Sequence, residues 1–301
     1  MERKLLYFIN PIAGTKRKAL LEETIRRRTT AANLDFKITG TNIEGNYSEL
    51  RRRISEEKIT DVIICGGDGS VSLITSFLIG VNVAVGIVPT GSGNGLAYAA
   101  GIPYSTDKAL DIIFKGHSSY IDGFLINDKF SCMMCGMGCD AQVAHDFALK
   151  KSRGLKTYIR LSALHYFMAK PFSFTVQAND NSITIDAFFI SISNSNQFGN
   201  NVTIAPKASL NDGLFDIVIV KKMHKLVLPF ALLNQIYGVS APDKFDHYRN
   251  NKNIIYFQAS EATILNNDNA PLHIDGEPQP LTAKIELNIL PNAFRLLQPS
   301  S

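Results

Sequence analysis

Short unbroken apolar runs alternate with helical patterns through the first third of the chain. Residues 4–9, 36–39, 61–65 and 83–88 read as strands. Between and after them, residues 16–28, 47–57, 70–79 and 94–100 read as helices, the first of them charged with Ala19, Leu20 and Ile25 as its apolar positions. Strands with no polar alternation are buried on both faces, so this half is expected to be α/β with a parallel sheet covered by helices. Beyond about residue 122 the pattern changes to period-two stretches at 120–126, 131–137, 172–178, 182–194, 213–220, 254–259, 262–266, 272–275 and 283–290. Turn signals such as Asn127-Asp128, Asn179-Asp180-Asn181 and Asn211-Asp212-Gly213 separate them. This half reads as mostly β and sandwich-like, interrupted by helical patterns at 141–150 running on towards 153–169, and at 227–237. The expected organisation is an α/β domain over 1–122, a β-rich domain over 123–290, and a tail at 291–301 packing back on the first domain. There is no internal repeat and no long linker, and the active site is expected in the cleft between the halves.

Composition narrows the class. The chain has 301 residues, 45% hydrophobic and 19% charged, and 31 Lys+Arg against 27 Asp+Glu give a net charge of +4. That is long enough for two cores and too apolar for disorder. The basic runs Arg26-Arg27-Arg28 and Arg51-Arg52-Arg53 lie among Glu22, Glu23, Glu49, Glu56 and Glu57. They read as solvated helix faces, and nucleic-acid binding is not implied. The N-terminal apolar run, Leu5 to Ile9, stops at Asn10-Pro11 and reads as a strand with no signal peptide, and no stretch approaches the roughly 18 apolar residues of a membrane helix. A cytoplasmic location is expected, at most peripheral at the inner face of a membrane. Cys132, Cys135 and Cys139 lack the second ligand pair that zinc requires, so packing is preferred to a metal role.

The chemistry concentrates in glycine-rich turns. In DVIICGGDGS (61–70) a buried strand runs into Gly66-Gly67-Asp68-Gly69, and with little Cβ in the way backbone N–H groups can approach an anion. A second strand leads into Pro89-Thr90-Gly91-Ser92-Gly93-Asn94-Gly95 and then a helix start. A third turn, Asn10-Pro11-Ile12-Ala13-Gly14, leaves the first strand. Any one of them is equally well a tight turn. Three at the carboxyl edge of one parallel sheet point to a nucleotide-phosphate site. No P-loop lysine motif and no dinucleotide fingerprint is present. Asp68 inside the cradle suggests Mg²⁺ chemistry, because a carboxylate beside phosphates is repulsive without a cation between them. A second acidic focus is His273-Ile274-Asp275-Gly276-Glu277-Pro278. On an extended chain Asp275 and Glu277 share a face and could act as base and orienting group, with Gly276 leaving room for substrate; the alternative is an ordinary Asp-Gly hairpin turn.

GGDGS at 66–70, PTGSGNGLA at 89–97, NP-x-x-G at 10–14 and DGE at 275–277 together closely resemble the diacylglycerol kinase/sphingosine kinase type of lipid kinase, particularly its bacterial soluble members. Residues 136–147, 153–161 and 194–220 resemble that family's second domain. The resemblance implies ATP-dependent phosphorylation of a lipid hydroxyl at a membrane surface. It implies that Asn10, Pro11, Gly14, Thr41, Gly66, Gly67, Asp68, Gly69, Ser70, Ser72, Gly91, Ser92, Gly93 and Asn94 line the ATP site, with Asp68 in the metal or phosphate network. Glu277 would be the general base, with Asp275 beside it. The carbonyls of Ser209 and Leu214 and the carboxylate of Asp212 would hold a structural Mg²⁺, although 211–213 also reads as a plain turn. Asp140 would join the acidic network or the lipid-facing wall. The chain departs from many bacterial diacylglycerol kinases at Gly95, where they carry an acid, and this leaves the acceptor open. A helix at 226–239 could touch lipid but fits a core stripe better, and Lys150, Lys151, Arg153, Lys156 and Arg160 could meet an anionic leaflet. A homodimer is left open. Two other classes compete: a soluble-metabolite kinase of the NAD kinase or phosphofructokinase type, which shares GGDG, and a non-catalytic lipid- or nucleotide-binding regulator, which would be expected to have lost Asp68 or Glu277.

Overall fold

The computed structural model describes residues 2–10, 15–42, 45–91, 93–150, 160–161, 164–165, 168–196, 204–224 and 253–300. The chain forms two compact units, Met1–Ile121 with Asn292–Ser301, and Asp122–Pro291.

The first unit is built on β1 (Lys4–Ile9), α1 (Thr15–Ala31), β2 (Asp35–Gly40), α2 (Leu50–Glu57), β3 (Asp61–Gly66), α3 (Asp68–Ser76), β4 (Ala84–Pro89), α4 (Gly95–Ala99) and α5 (Thr106–Lys115). Its strands are parallel in the order β2-β1-β3-β4. β3 and β4 are buried at every position, which is why their sequences are unbroken apolar runs. Chain order reverses direction at β1, between β2 and β3, so the carboxyl ends of β1 and β3 form a topological switch point. Arg26, Arg27, Arg51 and Arg52 are exposed as their composition implies, whereas Arg28 and Arg53 are half-buried. Arg26 pairs with Glu22, Arg52 with Glu49 and Glu56, Arg53 with Glu57, and Arg28 reaches Asp107 and Asp111 of another helix.

The second unit begins with β5 (Ser118–Ile126), which starts in the first unit, and continues through β6 (Lys129–Ser131), β7 (Met134–Gly138), α6 (Cys139–Leu149), β8 (Phe172–Ala178), β9 (Asn181–Ser193), β10 (Phe215–Lys221), β11 (Ile254–Ala259), β12 (Glu261–Asn266), β13 (Leu272–Ile274), β14 (Glu277–Gln279) and β15 (Lys284–Leu297). Antiparallel pairing runs β14-β13-β7-β9-β8-β12-β15, with β10 between β9 and β11. The two faces of β10 show how the period-two pattern is used. Ile217 and Ile219 join a core with Phe124, Phe174, Ile190 and Phe257, while Val218 and Val220 pack with Cys139, Phe188, Ile204 and Tyr256.

Several expected boundaries move. The helix expected at 47–57 starts at Leu50. Tyr47 instead lies buried before it, its hydroxyl accepting from the Asn42 N–H and its ring edge-on to Phe8 and Phe77. The strand expected at 131–137 is broken at Cys132 and Met133 into β6 and β7. The strand expected at 283–290 runs on to Leu297, and its Arg295 and Leu296 lie parallel to Ala84 and Val85 of β4. Helix α5 was not expected at all. The candidate helix at 226–239, together with Lys151, Arg153 and Lys156, lies outside the described residues.

Candidate active site

Four loops leave the carboxyl ends of the adjacent strands β2, β1, β3 and β4 in the first unit. Three of them continue the ladder one residue beyond their strand: the N–H of Asn10 donates to the Cys65 carbonyl (3.2 Å), that of Thr90 to Gly66 (3.0 Å), and that of Thr41 to Ile9 (3.1 Å). The chains therefore diverge at a common level. Gly66 closes β3, Gly67 is the extended N-cap of α3, and Asp68, Gly69 and Ser70 form the first turn of that helix. The N–H groups of such a first turn have no intrahelical acceptor and carry the positive end of the helix dipole, so they suit a phosphate. The helix begins two residues earlier than its sequence pattern suggested, and this places Asp68 in that turn.

The two glycine-rich loops touch at Gly67 and Gly91. A Cβ on Gly91 would lie 2.5 Å from the Cα of Gly67, and one on Gly67 would lie 3.1 Å from the Cα of Gly91. A side chain at either position would drive the loops apart, so glycine is required here for close approach. Asn94 shapes the second loop from within: its side-chain oxygen accepts from the Gly91 N–H (3.0 Å) and its amide donates to the Gly91 carbonyl (2.8 Å). It is buried with a left-handed backbone. Gly93 sits against Asp68, where a Cβ would meet the Asp68 Oδ2 at 2.8 Å. Asn10 Nδ2 reaches Ser70 Oγ at 3.4 Å. Ser72 is buried one turn into α3. Pro11, Gly14 and Ser92 lie outside the described residues.

In the second unit the Asp275–Glu277 motif takes the hairpin geometry. Asp275 (φ 50°) and Gly276 (φ 82°) are both left-handed and link β13 to β14, with Ile274 opposite Glu277. This is the form of a two-residue type I′ turn. The expectation of two carboxylates sharing a face of an extended chain is therefore corrected. The reason for Gly276 also changes, since a Cβ there would meet nothing within 4 Å and what demands glycine is the positive φ. Asp275 anchors the turn: its Oδ1 accepts from the Ser131 hydroxyl (2.7 Å) and the Met134 N–H (3.0 Å), and its own N–H donates to the Met134 carbonyl (2.8 Å). Glu277 is exposed. Asp140 is held by His273, Oδ2 to Nε2, at 2.9 Å, a partner that the sequence did not suggest. Cys135 lies beside this network, and burial, with the charges of Asp275 and Asp140, pushes its thiol pKa well up. It is accordingly held as a neutral thiol.

The 209–214 loop is closed by a residue absent from the expected set. Asp122, buried on β5, accepts from the Gly213 N–H through Oδ2 (2.7 Å) and donates its own N–H to the Leu210 carbonyl (2.6 Å). Asp212 accepts from the Leu214 N–H (3.1 Å) and from Gln258 Nε2 (3.2 Å). Each Asp212 oxygen keeps lone-pair capacity, and the backbone carbonyls of Ser209 and Leu214 would add neutral oxygens. That donor chemistry fits a hard cation such as Mg²⁺.

An open depression of about 630 Å³ lies beside α6, lined by His145, Asp146, His165, Met168, Lys170 and Phe172 among others. His165 pairs with Asp146 (2.7 Å), and His145 Nε2 meets the carbonyl of Leu272 (3.1 Å) on the strand that ends in the Asp275–Gly276 turn. Leu149, Leu164 and Met168 expose most or half of their surface nearby in sequence. No helix among the described residues is long and apolar enough to cross a membrane.

Residues 4–126 match the family described as diacylglycerol kinase catalytic domain, and residues 134–298 match the one described as YegS C-terminal NAD kinase beta sandwich-like domain. The chain belongs to the diacylglycerol kinase/sphingosine kinase family of lipid kinases. Among this family's members, a "Probable lipid kinase YegS-like" of Citrobacter koseri is 30% identical over 262 residues, covering 83% of each chain. Another of that name, from Shewanella frigidimarina, is 26% identical over 285 residues, 91% of this chain and 89% of the relative. A crystal structure of a diacylglycerol kinase from Bacillus anthracis superposes with a TM-score of 0.76 at 19% identity, covering 99% of this chain and 97% of that one, and shares the fold. Membership makes the protein a kinase, and the α/β unit followed by a β-sandwich-like unit is the architecture of the family.

Proposed function

We propose that the protein transfers the γ-phosphoryl group of ATP to the hydroxyl of a membrane lipid of the diacylglycerol or sphingoid-base class, with Mg²⁺ as the metal. The observation that carries this reading is the close approach of Gly67 to Gly91 beside the N-terminus of α3, whose first-turn N–H groups suit a polyphosphate. The first-turn N–H groups of α3 and the loop shaped by Asn94 orient the donor, and Asp68 in that turn would hold the divalent ion. Mg²⁺, when bound, neutralises charge on those oxygens. Glu277 stands exposed on a hairpin whose turn is pinned by Asp275, and it positions the acceptor hydroxyl and takes its proton for in-line attack. Ser209, Asp212 and Leu214 would hold a second, structural Mg²⁺, with Asp122 fixing their loop.

The lipid class is supported by the family, by the exposed Met168 that lines the depression beside α6, and by the exposed Leu149 and Leu164 nearby in sequence. Apolar side chains held at a surface suit contact with acyl chains at the cytoplasmic face of a membrane. Transfer of ³²P from ATP is the direct test, run against diacylglycerol, sphingoid bases and ceramide with NAD as a control. Label in one of the lipids is expected, dependent on Mg²⁺. Label in NAD alone would overturn the lipid reading, and a Glu277→Gln variant with normal kcat would overturn the assignment of the base.

A further inference from the structure

His273 is buried, 2% exposed, on the strand that ends in the Asp275–Gly276 turn, and its two ring nitrogens have different partners. Nδ1 receives the N–H of Gly276 at 3.2 Å, and Nε2 meets Asp140 Oδ2 at 2.9 Å. A backbone N–H can only donate, so Nδ1 must be unprotonated; the proton then lies on Nε2 and is donated to the Asp140 carboxylate. One neutral tautomer satisfies both bonds, and neither the other tautomer nor the imidazolium does. Asp140 is itself 8% exposed and sits in the first turn of α6, where the helix dipole favours its negative charge. Room for the pair comes from Gly136, opposite His273 in the β7–β13 ladder: a Cβ there would lie 2.1 Å from Asp140 Oδ2 and 2.5 Å from His273 Nε2.

We propose that Asp140 and His273 are positioning residues that lock the Asp275-Gly276-Glu277 turn from its buried side and so fix the carboxylate of Glu277. The proposal rests on the reading of Glu277 as the base. Asp275 ties the turn to the β6–β7 connection, whereas the imidazole ties it to α6, so the turn is held from two elements. Precision of this kind matters because a displacement of about 1 Å of a reacting group can cost about 100-fold in rate.

The first test reads the device without any turnover. In ¹⁵N NMR of the full chain, His273 is expected as the Nε2–H tautomer with the Gly276 amide protected from exchange; an Nδ1–H tautomer or a freely exchanging Gly276 amide would overturn the proposal. The second test compares kcat and KM for ATP, using whichever lipid of the panel above is phosphorylated fastest. His273→Ala is expected to lower kcat about 10- to 100-fold and leave KM for ATP unchanged. His273→Asn places an acceptor oxygen near the site of Nδ1 and is expected to recover most of kcat. His273→Gln reaches Asp140 but leaves the Gly276 N–H without that acceptor, and is not expected to recover it. Should the alanine variant fail to fold, the Asn and Gln pair decides. Equal kcat in those two, or a normal kcat in His273→Ala while Glu277→Gln is inactive, would overturn the positioning role alone. Normal turnover by Glu277→Gln would remove the base assignment and the proposal with it.

Discussion

The Cα of Gly67 would lie only 2.5 Å from a β-carbon on Gly91, so the two glycine-rich loops meet backbone to backbone. Gly91→Ala is expected to separate them, weakening ATP binding at least about tenfold, or about 1.4 kcal/mol. Overpacking should also lower stability by about 1–3 kcal/mol. Calorimetric titration with a non-hydrolysable ATP analogue and a thermal melt check both, and undiminished affinity would show that the loop contact does not shape the nucleotide site.

Asp275 and Glu277 are expected to separate by role. Asp275→Asn keeps the side-chain oxygen that receives Ser131 and Met134, and Asn is favoured in a type I′ turn, so kcat should stay close to that of the parent. Asp275→Ala removes that acceptor from a buried N–H and should cost about 1–3 kcal/mol in denaturant melts, with a fall in kcat. Glu277→Gln should leave stability unchanged and abolish turnover. A dead Asp275→Asn variant would instead make that carboxylate part of the chemistry.

At the amino edge of the same parallel sheet, Arg3 makes a two-pronged ion pair with Asp61 (2.7 and 3.1 Å) and caps the carbonyls of Ile113 and Phe114 at the end of α5. The side chain of Asp61 is only 4% exposed. Arg3→Ala leaves that charge buried without its guanidinium, and the expected loss is about 3–5 kcal/mol by urea unfolding. Because the pair lies at the other end of the strands from the glycine loops, the folded fraction should bind ATP as before.

Asp216 provides a pH signature. Burial lifts its pKa from 3.8 to about 6, against the lowering effect of hydrogen bonds from Tyr256 and Gln258. The native state therefore holds this proton more tightly than the unfolded chain. Its contribution favours folding most at low pH and is lost as pH rises from about 4 through about 6, a change of about 3 kcal/mol. Asp216→Asn should remove that segment of the stability profile, as read from unfolding free energies between pH 4 and pH 7. A parallel profile in the variant would assign the slope to another group.

How legible these features were in the sequence depends on the range over which their causes act. Strands β8 and β11 begin and end where the period-two pattern places them, because residue alternation and adjacent turn residues are local causes. Helix α5 leaves only a weak trace in the sequence: it buries only Ala109, Leu110 and Ile113 and otherwise reads as a short mixed segment, and packing on β4 makes it a helix. The Asp-Gly pair at 275–276 was compatible with an extended substrate-facing segment and with a hairpin, and the pairing of β13 with both β7 and β14 decided for the hairpin.

By itself the sequence determined the α/β and β-rich halves, the glycine loops after β1, β3 and β4, and the acids Asp68, Asp275 and Glu277, since propensity and hydrophobic period act over a few residues. Only the tertiary structure decided the partners of those groups. Asp140 meets His273 across 133 positions, Asp122 meets Gly213 across 91, and Gly67 meets Gly91 through two different strands. Such pairs leave no period in the chain. They exist because closing the sheets brings distant residues together in a buried space, where a polar group must find a partner or remain unsatisfied at a cost of about 1–3 kcal/mol.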